Sequence, residues 1–114
     1  MARYAVIGLG RFGMTVAKIL TENGMEVIAI DKDQDLVNEI SSIVTSAVCM
    51  DSTDEAALRS QNLNEADAVI IGIGSNIEEC ILTAAILKKI GVGIIYAKIE
   101  SELHGRILKM LGVQ

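Results

Sequence analysis

Short apolar runs alternate with amphipathic stretches along the whole chain. Tyr4 to Leu9 is the first run and Glu26 to Ile30 the second; Ala47 to Met50, Ala68 to Ile73 and Ile94 to Lys98 follow. Each has the length of a strand and is rich in aliphatic or β-branched residues. Between them the spacing predicts helices: Met14 to about Asn23, Gln34 to Ser41, a third reaching about Gln61, Ile77 to Ile90, and Glu102 to Leu111. The punctuation agrees. Gly24 and Gly91 stand where helices stop. Asp33 is placed to cap the second helix, or alternatively to touch a ligand ribose. Ser52 with Glu55 fits a capping box for the third. Gly74-Ser75-Asn76 opens the fourth, and Glu100-Ser101 leads into the fifth.

Five strand–helix units with short links predict an α/β domain. The expected architecture is a Rossmann-like doubly wound parallel sheet of order 3-2-1-4-5, with right-handed crossovers. Ala68 to Ile73, the most apolar run, is expected to be central. The order reverses between the first and fourth strands, which opens a crevice at the carboxyl edge of the sheet. The dinucleotide-binding version of this architecture carries a sixth strand. The sequence reaches Gln114 where that strand would start, so the sixth strand is expected to be truncated. Residues 1–114 read as a single domain, without repeat or linker.

Composition narrows the picture. The 114 residues hold one Phe, no Trp and no Pro, so the core must be aliphatic, as suits a sheet buried on both faces. A net charge of −5 with no basic stripe argues against nucleic acid as a partner. The apolar runs are too short to span a bilayer, and Arg11 interrupts the N-terminal one, which argues against a signal peptide. Cys49 and Cys80 form no C-x-x-C pair and are expected to be reduced, buried small hydrophobes in a cytosolic protein.

The candidate chemistry lies in Val6-Ile7-Gly8-Leu9-Gly10-Arg11-Phe12-Gly13, a G-x-G-x-x-G loop between a strand and a helix. Gly8 lets the chain turn out of the strand. Gly10 lets a pyrophosphate lie against the backbone, and Gly13 lets the helix pack closely. The helix N-terminus then faces the phosphates. Asp31 ends the second strand 18 residues after Gly13, where a carboxylate can accept both ribose hydroxyls of an adenosine. Asp51 and Ser52 fall at the carboxyl end of the third strand, Ser52 as a cap and Asp51 facing the adenine. Gly72 and Gly74 let the fourth strand's end approach a nucleotide, or merely ease a turn. Arg11 is suited to phosphate oxygens, in this subunit or a neighbouring one; otherwise it is a solvated arginine at a helix start.

Catalytic groups are scarce. The single His, His104, lies on the last helix without a partner acid or nucleophile, and reads as a surface or packing residue. Hydride transfer needs a region to hold a substrate over the cofactor, and no residues remain to build one.

Gly8-Leu9-Gly10-Arg11-Phe12-Gly13, Asp31, Asp51-Ser52-Thr53-Asp54, and Ala68 to Gly72 through Ser75-Asn76-Ile77 resemble the RCK or KTN domain of prokaryotic potassium systems. Lys98, His104 and the closing Leu111-Gly112-Val113 look most like the Ktr-type peripheral subunit. The resemblance covers nearly the whole chain. It implies a cytoplasmic regulatory subunit, held at the inner face of the membrane by a potassium channel or transporter partner. It also implies NAD(H) or ATP/ADP as regulatory ligand, a homodimer, a higher ring in the full-length protein, and no enzymatic activity. The expected ligand contacts are Gly8, Gly10, Arg11, Phe12, Gly13, Asp31, Lys32, Asp51, Ser52, Gly72 and Gly74. The alternative is the truncated dinucleotide-binding domain of an NAD-dependent oxidoreductase.

Overall fold

The computed structural model describes residues 2–74 and 76–114. Ser75, read in the sequence as part of the opening of the fourth helix, lies outside the described residues. Strands β1 (Arg3–Ile7), β2 (Glu26–Asp31), β3 (Ser46–Cys49), β4 (Ala68–Ile71) and β5 (Ile95–Ala97) form one parallel sheet in the order β3-β2-β1-β4-β5. The expected architecture is thus the observed one. The middle strand is β1 rather than the more apolar β4. Val6 of β1 lies between Ala29 of β2 and Ile70 of β4.

Alternation along the strands builds two cores. Ala5, Ile7, Val69 and Ile71 face one side, packed with Leu58, Cys80, Ala84, Leu87 and Leu108. Those partners come from α3 (Glu55–Arg59), α4 (Ile77–Lys89) and α5 (Glu102–Met110). Val6, Val27, Ala29 and Ile70 face the other side, against Met14, Ala17, Val37 and Ile40. Those come from α1 (Arg11–Glu22) and α2 (Gln34–Ile40). All four residues of β4 are buried, so its sequence carries no polar alternation. No helix among the described residues is long and apolar enough to cross a membrane.

Three local expectations need correction. The first strand ends at Ile7, not Leu9, because Gly8 turns the chain with φ +95°. The third helix is capped by Asp54, whose side chain accepts from Ala57 N–H at 3.2 Å, and not by Ser52. Ser52 is buried instead, its hydroxyl 2.8 Å from Thr83 Oγ1 on α4. Cys49 is exposed, because β3 is an edge strand; Cys80 is buried as expected. Asp33 does cap α2, accepting from Asp35 N–H at 2.9 Å.

Candidate functional site

The glycine loop crosses the carboxyl edge of the sheet between β1 and β4, and its glycines meet different demands. A Cβ on Gly8 would lie 2.8 Å from Gly72 C and Ile73 N, besides adopting a left-handed backbone. A Cβ on Gly13 would overlap the carbonyl oxygen of Gly8. Gly72 answers them from β4's end: a Cβ there would sit 3.0 Å from Gly8 O and 3.2 Å from Gly13 Cα. Its bareness therefore serves the close fit of loop, helix and strand. Gly10 differs. Its φ is −69°, and beyond its own stretch of chain no atom of the described residues lies within 4 Å of where its Cβ would be. Beyond its chain neighbours, none of the described residues requires glycine there, and the space beside it is open.

Gly10 is also the N-cap of α1, and among the described residues no side chain is bonded to the helix's first N–H groups. The helices α2, α3, α4 and α5 each have a side-chain cap, from Asp33, Asp54, Asn76 and Ser101. The donors at the start of α1 are thus left for water or for an anion.

Asp31 fixes the loop from β2. Its Oδ2 accepts from Leu9 N–H at 2.7 Å and its Oδ1 from Asp33 N–H at 2.8 Å. A carboxylate oxygen can accept more than one hydrogen bond, so acceptor capacity remains on both. Gly8 N–H donates to Ile30 O at 2.8 Å, and Gly72 N–H to Ile7 O at 2.7 Å. The rim is therefore bonded on both sides of the point where the strand order reverses.

A cleft of about 340 Å³ opens at that point. Gly8, Leu9 and Gly10 line it from the loop, Ile30, Asp31, Lys32 and Leu36 from β2 and α2. Met50, Ser52, Gly72, Ile73, Gly74, Asn76 and Glu79 complete the walls with Ile7. Lys32 Nζ donates to Glu79 Oε2 at 3.2 Å, joining the two sides. That pair also borders a second cavity of about 260 Å³, lined further by Asp51, Thr53, Asn76, Glu78 and Leu82.

Of the residues expected from the sequence, the fold brings Gly8, Gly10, Asp31, Lys32, Ser52, Gly72 and Gly74 to the cleft. Arg11, Phe12, Gly13 and Asp51 are not among its lining. Arg11 and Phe12 are exposed on the first turn of α1, Phe12 with Lys98 Nζ 5.9 Å from its ring centroid. Gly13 is buried under the loop. Asp51 borders the adjoining cavity, where its Oδ1 accepts from Thr53 N–H at 2.9 Å and Thr53 Oγ1 at 2.7 Å. Those bonds, the hydroxyl's first, hold its carboxyl below the usual carboxylate range.

Besides the strand-end residues Ile7, Leu9, Ile30 and Ile73, sequence reasoning missed Leu36, Met50, Asn76 and Glu79. Asn76 and Glu79 carry a usable signal, an N-cap followed three residues later by an acid. Asn76 Oδ1 does accept from Glu79 N–H, at 3.0 Å. Leu36 and Met50 sit among ordinary core residues and look no different from them.

His104 does not line the cleft. It is buried, its Nδ1 accepts from Glu100 N–H at 3.1 Å, and its Nε2 has no partner among the described residues. It supports the turn between β5 and α5.

Comparison with known proteins agrees with this fold. The model of the TrkA-N domain family matches residues 4–114. Ktr system potassium uptake protein C of Bacillus subtilis (strain 168) is 48% identical over 109 residues, 96% of this chain and 49% of the relative. Ktr system potassium uptake protein A of the same organism is 37% identical over 110 residues, again 96% of this chain and 50% of the relative. The chain thus spans about half the length of the curated relatives it matches. Among solved structures, the NAD(P)-binding domain of an exopolyphosphatase-related protein from Archaeoglobus fulgidus superposes with a TM-score of 0.89 at 26% identity, over 100% of this chain and 85% of that one. The chain belongs to the TrkA-N domain family.

Proposed function

We propose that this domain is a regulatory nucleotide-binding module of a potassium uptake system, taking NAD(H) or ATP/ADP in the cleft. The observation that carries the reading is the pairing, across one cleft, of the uncapped N-terminus of α1 with the Asp31 carboxylate. The first suits a phosphate and the second a ribose diol. The open space at Gly10 supports the same reading. The adenosine common to both ligand classes lies toward Asp31, Leu36 and Met50, with the phosphates at Gly10. Ser52, Gly72 and Gly74 border the ligand, and Lys32 stands at the edge.

The domain acts as a sensor rather than an enzyme. The described cleft offers no acid–base pair positioned against a nucleophile. Its partner is a membrane potassium channel or transporter subunit, which keeps a cytoplasmic protein at the inner face of the membrane. A ligand gates such a partner only if two arrangements of subunits bind it unequally. Arg11, exposed at the start of α1, is the residue suited to reach a phosphate held by a second copy in a homodimer or ring. Phe12 and Asp51 serve the same rim without lining the cleft.

Native mass spectrometry of the purified protein tests the ligand, and potassium flux into vesicles carrying the full-length subunit and its partner tests the gating. A bound adenine nucleotide and a flux that changes with that nucleotide are expected. Flux indifferent to every adenine nucleotide would overturn the regulatory reading.

A further inference from the structure

Lys32 directly follows Asp31, and both line the cleft. A cation beside the ribose-reading position ordinarily suits a phosphate on the ribose 2′ oxygen. Here the ammonium is already engaged. Lys32 Nζ lies 3.2 Å from Glu79 Oε2, on the first turn of α4. The two side chains are unequally exposed, 64% for Lys32 but 14% for Glu79. The Glu79 backbone is held in turn by Asn76. Among the described residues lining the cleft, Lys32 is the one cation, and Asp31 and Glu79 are the acids.

We infer that Glu79 sets ribose specificity, by tying Lys32 into an ion pair so that the cleft admits a free 2′-hydroxyl and rejects a 2′-phosphate. The inference rests on the nucleotide reading above and adds to it the residue that chooses between NADH and NADPH. An ion pair between two exposed side chains would be a slight obstacle, because such pairs contribute little. Glu79 is different because it is largely shielded. A 2′-phosphate can take Lys32 only by leaving that carboxylate unpaired in a partly dry site, with Asp31 on the same cleft wall. Both remaining charges then oppose the incoming phosphate. Lys32 is therefore a positioning partner of Glu79, and Glu79 acts on the ligand through charge.

Calorimetric titration of NADH and NADPH into the parent, Glu79→Gln, Lys32→Met and the double variant tests this, with thermal melts to check folding. The parent should favour NADH. In Glu79→Gln the ratio of NADPH to NADH affinity should rise about tenfold, the scale of one charge-assisted hydrogen bond. Adding Lys32→Met should abolish that gain. Lys32→Met alone, which leaves Glu79 uncompensated, should widen the preference for NADH by a few-fold, and this arm stands even if Glu79→Gln does not fold. A preference unchanged in Glu79→Gln, a gain that survives in the double variant, or an equal loss of both ligands would overturn the role of Glu79 while leaving the nucleotide reading in place. A parent protein that binds neither would overturn the role of Glu79, and one that also fails to bind ATP would overturn the nucleotide reading with it.

Discussion

The side chain of Asp31 accepts a hydrogen bond from the backbone N–H of Leu9 at 2.7 Å. The group suited to a ribose thus also fixes the loop suited to the phosphates. The two halves of the cleft are coupled by one carboxylate. Replacing Asp31 with Ala removes acceptors that a ligand would use and leaves the part-buried Leu9 N–H unpaired. Asp31→Ala should cost about 1–3 kcal/mol of stability and weaken NADH and ATP alike by more than tenfold. Asp31→Asn, which keeps one carbonyl oxygen, should recover part of the stability. Urea denaturation with calorimetry checks both, and Asp31→Ala at parental stability would disprove the coupling.

The glycines of the loop should separate binding from folding. Gly10 has an ordinary φ of −69° and open space around it. Gly10→Ala should leave stability within about 0.5 kcal/mol of the parent while a methyl group blocks the phosphates. Gly13→Ala instead drives a methyl into the Gly8 carbonyl and should cost about 1–3 kcal/mol or more. Thermal melts and nucleotide titrations on the two variants should give opposite patterns. Equal destabilisation by both would contradict the distinction.

The two thiols should react at very different rates. Cys49 is exposed. Cys80 is fully buried, and burial, aided by the Glu100 charge, pushes its thiol up to about 11. Iodoacetamide at pH 8 should label Cys49 within minutes and Cys80 only on unfolding. Peptide mapping by mass spectrometry reads this directly, and rapid native labelling of Cys80 would refute the packing of α4.

Acid should loosen the contact between α3 and α4. Glu55 accepts from Lys89 Nζ at 3.0 Å and from Arg59 Nε at 2.9 Å. Those bonds, the lysine's first, hold its carboxyl below the usual range. A carboxyl whose folded pKa is depressed contributes stability above its unfolded pKa, and that contribution is lost as pH falls through the folded value. The melting temperature of Glu55→Gln should therefore lie below the parent's at pH 7, and the gap should close as the pH falls toward 3. A gap independent of pH would remove the charge from the explanation.

Most of the fold was legible because two periodicities are clean in this chain. Strand-length aliphatic runs such as Val27 to Ile30 and helical stripes such as Met14 and Ala17 point to the same layers, and turn glycines separate them. Strand limits were less legible. Leu9 and Ile73 are apolar like the strands they follow, but the backbone turns at Gly8 and they line the cleft instead. The capping box at Ser52 failed because Asp54, two residues on, is an equally good cap, and because Ser52 has a buried partner, Thr83, 31 residues away. No local pattern reveals such a partner. The same holds for Glu79 on α4, which only the fold sets beside Lys32. Glycine identity was visible at every loop position, but which glycine serves the fold and which leaves room for a ligand depends on what surrounds each.

The central claim is that one cleft holds an adenine nucleotide with its ribose at Asp31 and its phosphates at Gly10. Isothermal titration of NADH and ATP into the parent, Gly10→Ala and Asp31→Asn measures it most directly. The account predicts saturable binding of at least one of the two ligands to the parent at one site per chain. It also predicts at least a tenfold loss, about 1.4 kcal/mol, in each variant, with Gly10→Ala still folded as the parent is. Absence of binding to the parent, or parental affinity in both variants, would contradict it.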